Sequence, residues 1–368
     1  MSEFDVKTST RTYPVLIENG CIAKLPEQIR KYCQSFDVVI ITDQNVANIY
    51  QQKIDRILQS DGIILNWIVI DPGETSKNLE TYKYIIEKLQ EYNLPRDGLL
   101  IALGGGVVCD ISGFAASTYK RGIRWICVPT TLLAQVDASI GGKTAIHMGD
   151  IKNLAGSFHQ PLSVLIDPEF LASLDDKQFI SGSAEVLKMA LLPGGEQFSI
   201  WDNKTHSEFF NRNPDTMISV IDDCCRMKAS VVEKDEFDIG GRIILNLGHT
   251  IAHALEAHGQ FSTYTHGQAV CLGVLFMAEI SFMNGDITDD DLAKIQNLFE
   301  PVIKITPVSD VSWKELIPFM LHDKKNRDAD LRIVYLLGTG RIAIRNISPA
   351  DLESPWRIFC EKLSNTEH

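Results

Sequence analysis

Gly98-Leu-Leu-Ile-Ala-Leu103 runs without a break into Gly104-Gly-Gly106-Val-Val-Cys-Asp110 and then into Ile111-Ser-Gly-Phe-Ala-Ala-Ser117. The apolar run reads as a buried strand, and the segment after the glycines reads as a helix. A strand that enters a helix through glycines lets backbone N–H groups approach a phosphate closely, with the helix N-terminus adding its dipole. The spacing is neither GxGxxG nor a Walker loop, since no Gly-Lys-Ser/Thr follows. A plain tight turn also accounts for three glycines. Either way, the stretch is a strand-to-helix junction, and its neighbours repeat the plan. Tyr13–Ile17, Asp37–Thr42 and Trp67–Ile70 read as strands, and 44–59 and 78–92 as helices. Strands alternating with helices of this length predict a mostly parallel sheet in a βαβ arrangement, an α/β domain. Ligands of such sheets sit at the carboxyl ends of the strands. Asp43 lies just past one such end, and Gly73-Glu-Thr-Ser-Lys77 past another. Helix capping is the commoner use of Asp43 and Glu74, and a ribose hydroxyl is the other.

Downstream, Arg121-Gly-Ile-Arg-Trp-Ile-Cys-Val-Pro-Thr-Thr131 is a turn and a strand ending in two hydroxyls. Asp137, Lys143, Lys152 and Asn153 then crowd around Gly141-Gly142. Singly these are solvated loop charges. With Arg121 they make a cationic cluster suited to an anionic substrate. After about residue 176 the strand pattern gives way to helices, which predicts two domains, 1–176 and 177–368, the second mostly α-helical. Glu185 and Lys188 stand one turn apart among small apolar residues, which suits a buried carboxylate. Asn246-Leu-Gly-His-Thr-Ile-Ala-His-Ala-Leu-Glu256 reads as one helix, with His249, His253 and Glu256 on a single stripe and Arg242 and Asn246 extending it backwards. Two imidazoles a turn apart can hold a divalent metal, with a third ligand from His266 or elsewhere. Half-buried, hydrogen-bonded histidines are the simpler reading. A hairpin is expected at 331–337 and 340–344.

The chain has 368 residues, more than one ordinary core holds. Its 45% hydrophobic and 23% charged residues are ordinary for a soluble globular protein. A net charge of -13 and a pI of about 5.2 argue against nucleic acid or an anionic membrane as the partner. No apolar run reads as a membrane span and Met1-Ser-Glu-Phe-Asp-Val-Lys7 lacks signal-peptide architecture, so a cytoplasmic location is expected. The eight cysteines form no CxxC and read as reduced thiols.

As a set, PGETSK (72–77), GGGVVCD (104–110), PTT (129–131), DASIGGK (137–143), KN (152–153), AEVLK (184–188), RIILNLGHTIAHALE (242–256), THG (265–267) and HDKK (322–325) resemble the 3-dehydroquinate synthases, members of the sugar-phosphate cyclases. They stand in family order and cover the chain from about residue 10 to 350. The resemblance implies an α/β N-terminal nucleotide-binding domain with a Rossmann-like parallel sheet, a mostly α-helical C-terminal metal- and substrate-binding domain, NAD and one divalent metal, zinc first with cobalt as the alternative. It implies Glu185, His249 and His266 as metal ligands. It places Asp43, Glu74, Lys77, Gly105, Gly106, Val107, Asp110, Thr130, Thr131, Phe170 and Leu174 at the cofactor. Around the substrate it places Arg121, Asp137, Lys143, Lys152, Asn153, Lys188, Lys228, Arg242, Asn246, His253 and Lys324. The implied substrate is a small anionic sugar phosphate, 3-deoxy-D-arabino-heptulosonate 7-phosphate, which is converted to 3-dehydroquinate and phosphate by transient oxidation, elimination, reduction and aldol closure. A homodimer is implied as well.

The chain departs from the family pattern at several points. Gln268 stands where Glu is usual, removing a charge beside a metal ligand, and Gln178 replaces a Glu on the cofactor side. Phe237 and Asp238 stand for Arg and Glu, Ala190 for Gly, and the loop between Lys143 and Lys152 lacks its usual proline. The alternatives are a relative that cyclises another sugar phosphate, of amino-dehydroquinate, deoxy-inosose or valiolone type, and an iron-type polyol dehydrogenase. A degenerate NAD-binding protein would have lost Glu185, His249 or His266, and all three are present.

Overall fold

The computed structural model describes residues 1–58, 63–149, 151–260, 262–307, 311–321 and 330–366. The chain divides into two compact units, Met1–Leu174 with Glu208–Phe237, and Asp175–Ser207 with Asp238–His368. The first unit contains strands β1 (Ser2–Lys7), β2 (Thr12–Ile17), β3 (Asp37–Asp43), β4 (Ile64–Ile70), β5 (Leu99–Gly104), β6 (Arg124–Pro129), β7 (Lys143–Met148), β8 (Ile151–Phe158) and β9 (Val164–Ile166). Its helices begin with α1 (Leu25–Tyr32), α2 (Gln44–Leu58), α3 (Leu79–Glu91) and α4 (Gly106–Thr118). Among the described residues, seven strands form one sheet in the order β1-β2-β9-β6-β5-β3-β4, parallel throughout except for the edge pair β1–β2. Every residue of β5 is buried, as are the five central residues of β3, which is why these strands read as continuous apolar runs rather than alternating ones. Ile40, Leu99, Ile101, Leu103, Ile126, Val128 and Leu165 form the core with Ile29 and Ile54 from the helices. The strand order reverses at β3, with β4 on one side and β5 on the other. Such a switch point opens a crevice at the carboxyl ends of the two central strands. Asp43 and Gly104–Gly106 are at those ends.

The chain runs on through α5 (Asp176–Leu191) and α6 (Asn203–Phe210) and returns to the first unit as α7 (Pro214–Lys234). Residues 208–237 therefore belong with the first unit, unlike the expected single division near residue 176. The buried side of α7, including Val220, Ile221, Cys224 and Cys225, meets β1, β2 and the π-helical turn Ala134–Ala138. Periodicity shows that a helix has an apolar face but not which surface covers it. The hairpin of β7 and β8, which the sequence offered only as a charged loop, is a separate two-stranded sheet.

The second unit is α5 with α8 (His249–His258), α9 (His266–Met283), α10 (Asp289–Ile303), α11 (Trp313–Leu321), the β10 (Leu331–Gly338) and β11 (Arg341–Ile347) hairpin, and α12 (Glu353–Thr366). Helix α9 is its axis, contacted by α5, α8, α10, α12 and β10. By length and composition α9 would pass for a membrane span, contrary to the expectation that no run is long and apolar enough, yet 83% of that window is buried inside the protein. Its apolarity is accounted for by burial on all sides.

Candidate active site

In the second unit, Glu185 on α5 converges with the first residues of two helices, His249 of α8 and His266 of α9. One ligand atom from each lies within 4.8 Å of the others. His249 Nε2 and His266 Nε2 stand 3.5 and 3.3 Å from Glu185 Oε1. The other ring nitrogens are engaged elsewhere: His249 Nδ1 lies 3.2 Å from the Leu247 carbonyl and His266 Nδ1 3.2 Å from Glu256 Oε1. Both partners are acceptors, so each Nδ1 carries a hydrogen and Nε2 is the nitrogen that faces Glu185, free to bind a metal wherever it is unprotonated. Carbonyl- and carboxylate-backed imidazoles of this kind are how proteins orient metal ligands.

Glu185 is fully buried, and among the described residues neither carboxylate oxygen receives a hydrogen bond of normal geometry. Lys188 Nζ, also buried, stands 2.5 Å from Oε2 and donates to the Leu245 carbonyl at 2.7 Å. Burial opposes ionisation of Glu185, but Lys188 and the imidazoles outweigh it and hold the group well below the usual carboxylate range. Burial, with Lys188, pushes His249 down to about 3, leaving it neutral. Burial also opposes charge on His266, but the neighbouring carboxylates of Glu185 and Glu256 raise it to about 10. A buried anionic oxygen facing two oriented imidazole nitrogens fits a divalent cation with nitrogen and oxygen ligands.

Two glycines set this geometry. A methyl group on Gly267 would lie 1.8 Å from the Ser181 carbonyl oxygen, so α9 can approach the turn of α5 just before Glu185 only because residue 267 has no side chain. The Gly267 N–H donates to Ser181 Oγ at 3.0 Å. Gly248, at φ +77°, caps α8 against Gly273 and Val274 of α9, where a methyl group would lie 2.6 Å from the Val274 nitrogen. The chain therefore breaks at Leu247-Gly248. Arg242 and Asn246 belong to a separate 3-10 turn, Gly241–Asn246, and not to the continuous helix expected from the sequence. Arg242 is buried, whereas Asn246 and His253 are exposed. The His253 ring stands 5.5 Å from that of His249 and lies outside the ligand trio. Gln268 closes a capping box with Thr265 and donates through Nε2 to the Ile305 carbonyl at 2.7 Å. A carboxylate cannot make that second bond. The charge beside His266 comes instead from Glu256, which the helical stripe hinted at. Lys324, with the 322–325 motif, lies outside the described residues.

In the first unit, α4 begins at Gly106, and its cap, Gly105, offers no side chain to the first-turn N–H groups. A methyl on Gly105 would press to 3.0 Å from Thr131, and Gly73 is left-handed at φ +97° with open space beside it. Uncapped donors and bare backbone at the sheet's switch point fit a dinucleotide phosphate. Gly106, Val107 and Thr131 are partly exposed there, while Thr130 is buried. Asp43 Oδ1 caps α2, accepting from Asn45 and Val46 N–H. Lys77, 4% exposed, bridges Asp110 and Asn153, each at 2.5 Å. Burial raises the Asp110 carboxyl despite Lys77. Burial opposes ionisation of Glu74 too, but His147, Lys77 and Lys152 bring it down to about 2. Lys228 Nζ pairs with Asp137 Oδ1 at 2.6 Å. Arg121, at φ +64°, and Lys143 are exposed. The Phe170 ring is 3% exposed and packs edge-on to Tyr50 in the core. Leu174 is half-buried, with its carbonyl taken by Arg212.

Two family profiles match consecutive stretches of the chain. The 3-dehydroquinate synthase N-terminal profile matches residues 67–181 and the C-terminal profile residues 182–326. A 3-dehydroquinate synthase of Clostridium kluyveri is 42% identical over 285 residues, covering 76% of this chain and 77% of that one. Among solved structures, a 2-deoxy-scyllo-inosose synthase complexed with carbaglucose-6-phosphate, NAD+ and Co2+ superposes with a TM-score of 0.88 at 22% identity, covering 97% of this chain and 99% of that one. The 2-epi-5-epi-valiolone synthase of Streptomyces hygroscopicus, with NAD+ and Zn2+ bound, gives 0.85 at 25% identity over 95% and 97%. With both profiles matched and a relative above two-fifths identity, the chain belongs to the 3-dehydroquinate synthase family.

Proposed function

We propose that this chain converts 3-deoxy-D-arabino-heptulosonate 7-phosphate to 3-dehydroquinate and phosphate. The observation that carries the reading is the Glu185–His249–His266 trio with Lys188 and Glu256 buried behind it. Those three residues would hold a divalent metal, zinc or cobalt, and the switch-point turn with Glu74, Lys77 and Asp110 would hold NAD. When bound, NAD would supply reversible hydride chemistry at a substrate hydroxyl, and the metal would supply Lewis-acid polarisation there.

The chain's own groups bind, orient and exchange protons. Lys188 keeps Glu185 ionised, so the ligand set remains anionic. Arg121, Lys143, Lys152 and Arg242 are the cations that would receive the substrate phosphate and carboxylate, locally reversing a field set by a net charge of -13. Lys228, tied to Asp137, presents a charge already half-compensated and is suited to fixing a hydroxyl rather than a phosphate. His253, exposed one turn beyond His249, is the group placed to carry a proton at its ring nitrogen. Holding one substrate through successive steps gives the site most of its power. We infer a homodimer from the family resemblance.

A phosphate-release assay with the heptulosonate phosphate, run with and without EDTA, tests the reading. Phosphate should appear only with metal present, and absorbance should show no net NADH. An iron-type dehydrogenase would accumulate NADH from a simple alcohol, and absence of phosphate with metal and NAD present would sink the proposal. Relatives that cyclise other sugar phosphates resemble this chain in fold at 22–25% identity, well below the 42% of the Clostridium kluyveri synthase, which favours the dehydroquinate reading.

A further inference from the structure

His147 sits where the β7–β8 hairpin loses its register. Ile146 pairs with Ala155 and Met148 with Ile151, so residues 152–154 stand opposite the single residue 147. Bulges of this kind re-aim side chains and recur beside active sites. Here the extra residues include Lys152 and Asn153, and Asn153 is left-handed at φ +52° without being glycine. Its N–H donates to His147 Nδ1 at 3.0 Å. That bond makes Nδ1 the unprotonated nitrogen, so Nε2 carries the hydrogen and donates to Glu74 Oε1 at 2.9 Å. The backbone N–H of His147 donates to the Lys77 carbonyl at 2.7 Å, and the Lys77 side chain returns to Asn153. One neutral imidazole thus joins the 72–77 turn to the bulge. Thr144 and Ile146 are buried on β7, and the imidazole, 14% exposed, adds polar contacts.

We propose that His147 is a positioning residue: it aims the Glu74 carboxylate at a ribose of the dinucleotide and holds the bulge that presents Lys152 and Asn153 to the anionic substrate. This rests on the cofactor and substrate reading above. With Oε1 engaged by the imidazole, Oε2 of Glu74 is the oxygen turned to the cofactor, and a phenylalanine at 147 would free the carboxylate to rotate.

The test is NAD affinity of the zinc-loaded protein, measured by calorimetry, so it does not depend on turnover. H147F should weaken NAD binding about tenfold, the scale of one lost hydrogen bond to a charged group. The KM for the heptulosonate phosphate should also rise, while bound zinc and thermal midpoint stay unchanged. H147Q, which can both accept from Asn153 and donate to Glu74, should recover NAD binding to within about threefold. In an E74A background H147F should change NAD affinity less than twofold, because the carboxylate through which it acts is gone. Should the phenylalanine not fold, H147A carries the same comparison. An NAD affinity within twofold of wild type, a full tenfold effect that persists without Glu74, or a loss that tracks zinc and melting temperature would each overturn the proposal. Failure of the functional reading would look different: wild-type protein would release no phosphate, whatever the variants do to NAD binding.

Discussion

Replacing Glu256 with Gln should loosen the metal without touching a ligand. Glu256 is 3% exposed and its Oε1 lies 3.2 Å from His266 Nδ1, so it acts on the ion only through the ring. Removing carboxylate partners of metal-bound histidines costs about 10- to 100-fold in affinity. Gln retains an acceptor and loses the charge, which puts E256Q near the lower figure, about tenfold or roughly 1.4 kcal/mol. Ala also removes the acceptor and should approach a hundredfold. A second effect has the opposite sign. Glu256 helps to raise His266 to about 10, so at neutral pH a proton competes with the metal for that ring. E256Q weakens this competitor as well, and the net loss should therefore grow from neutral to mildly alkaline pH. The assay is zinc competition against a chromophoric chelator across that range, with the cobalt absorption spectrum reporting ligand geometry. If E256Q holds zinc within twofold of wild type at alkaline pH, the carboxylate does not tune this site and the argument fails.

Other perturbations follow from the same geometry. G267A places a methyl group on the Ser181 carbonyl, so it should lower stability by about 1–3 kcal/mol in a denaturant titration and lower zinc stoichiometry as well. H249A should lose zinc and phosphate release together, whereas H253A should keep zinc and lose turnover; zinc loss in H253A would mean that the two roles are exchanged. In the first unit, Glu236 binds Ser9, Thr10 and Gln160, and although burial opposes ionisation these bonds bring it down to about 2 from 4.5. A depressed carboxyl contributes stability above its unfolded value and loses it as pH falls through the folded one. E236Q should therefore cost about 2 kcal/mol at neutral pH, with the gap to wild type closing between pH 4.5 and about 2 in melting curves.

The alternating strands and helices up to residue 100 are legible because strands such as β3 and β5 carry continuous apolar runs and the glycine turns are local. The metal trio was named through motif resemblance; its geometry arises from helix packing at Gly248 and Gly267, which periodicity does not report. The same limit explains why α7 was assigned to the wrong unit and why 242–256 read as one helix, since a left-handed Gly248 looks like any tolerated helix glycine. His147 drew no attention in the sequence because its contacts depend on a register slip in the β7–β8 hairpin. Gln268 looked like a lost charge until its amide was seen to satisfy both the α9 cap and Ile305.

The contacts at Gly248 and Gly267 have a further consequence for how this centre tolerates change. Each imidazole that faces Glu185 opens a helix whose seating is fixed by main chain against main chain, or main chain against a small side chain. At these two points the approach is set by backbone, so a methyl group added there meets main-chain atoms that cannot step aside. Substitution at the two glycines has no intermediate sizes to pass through. The site is thus exposed to all-or-none failure at two positions that carry no chemistry of their own.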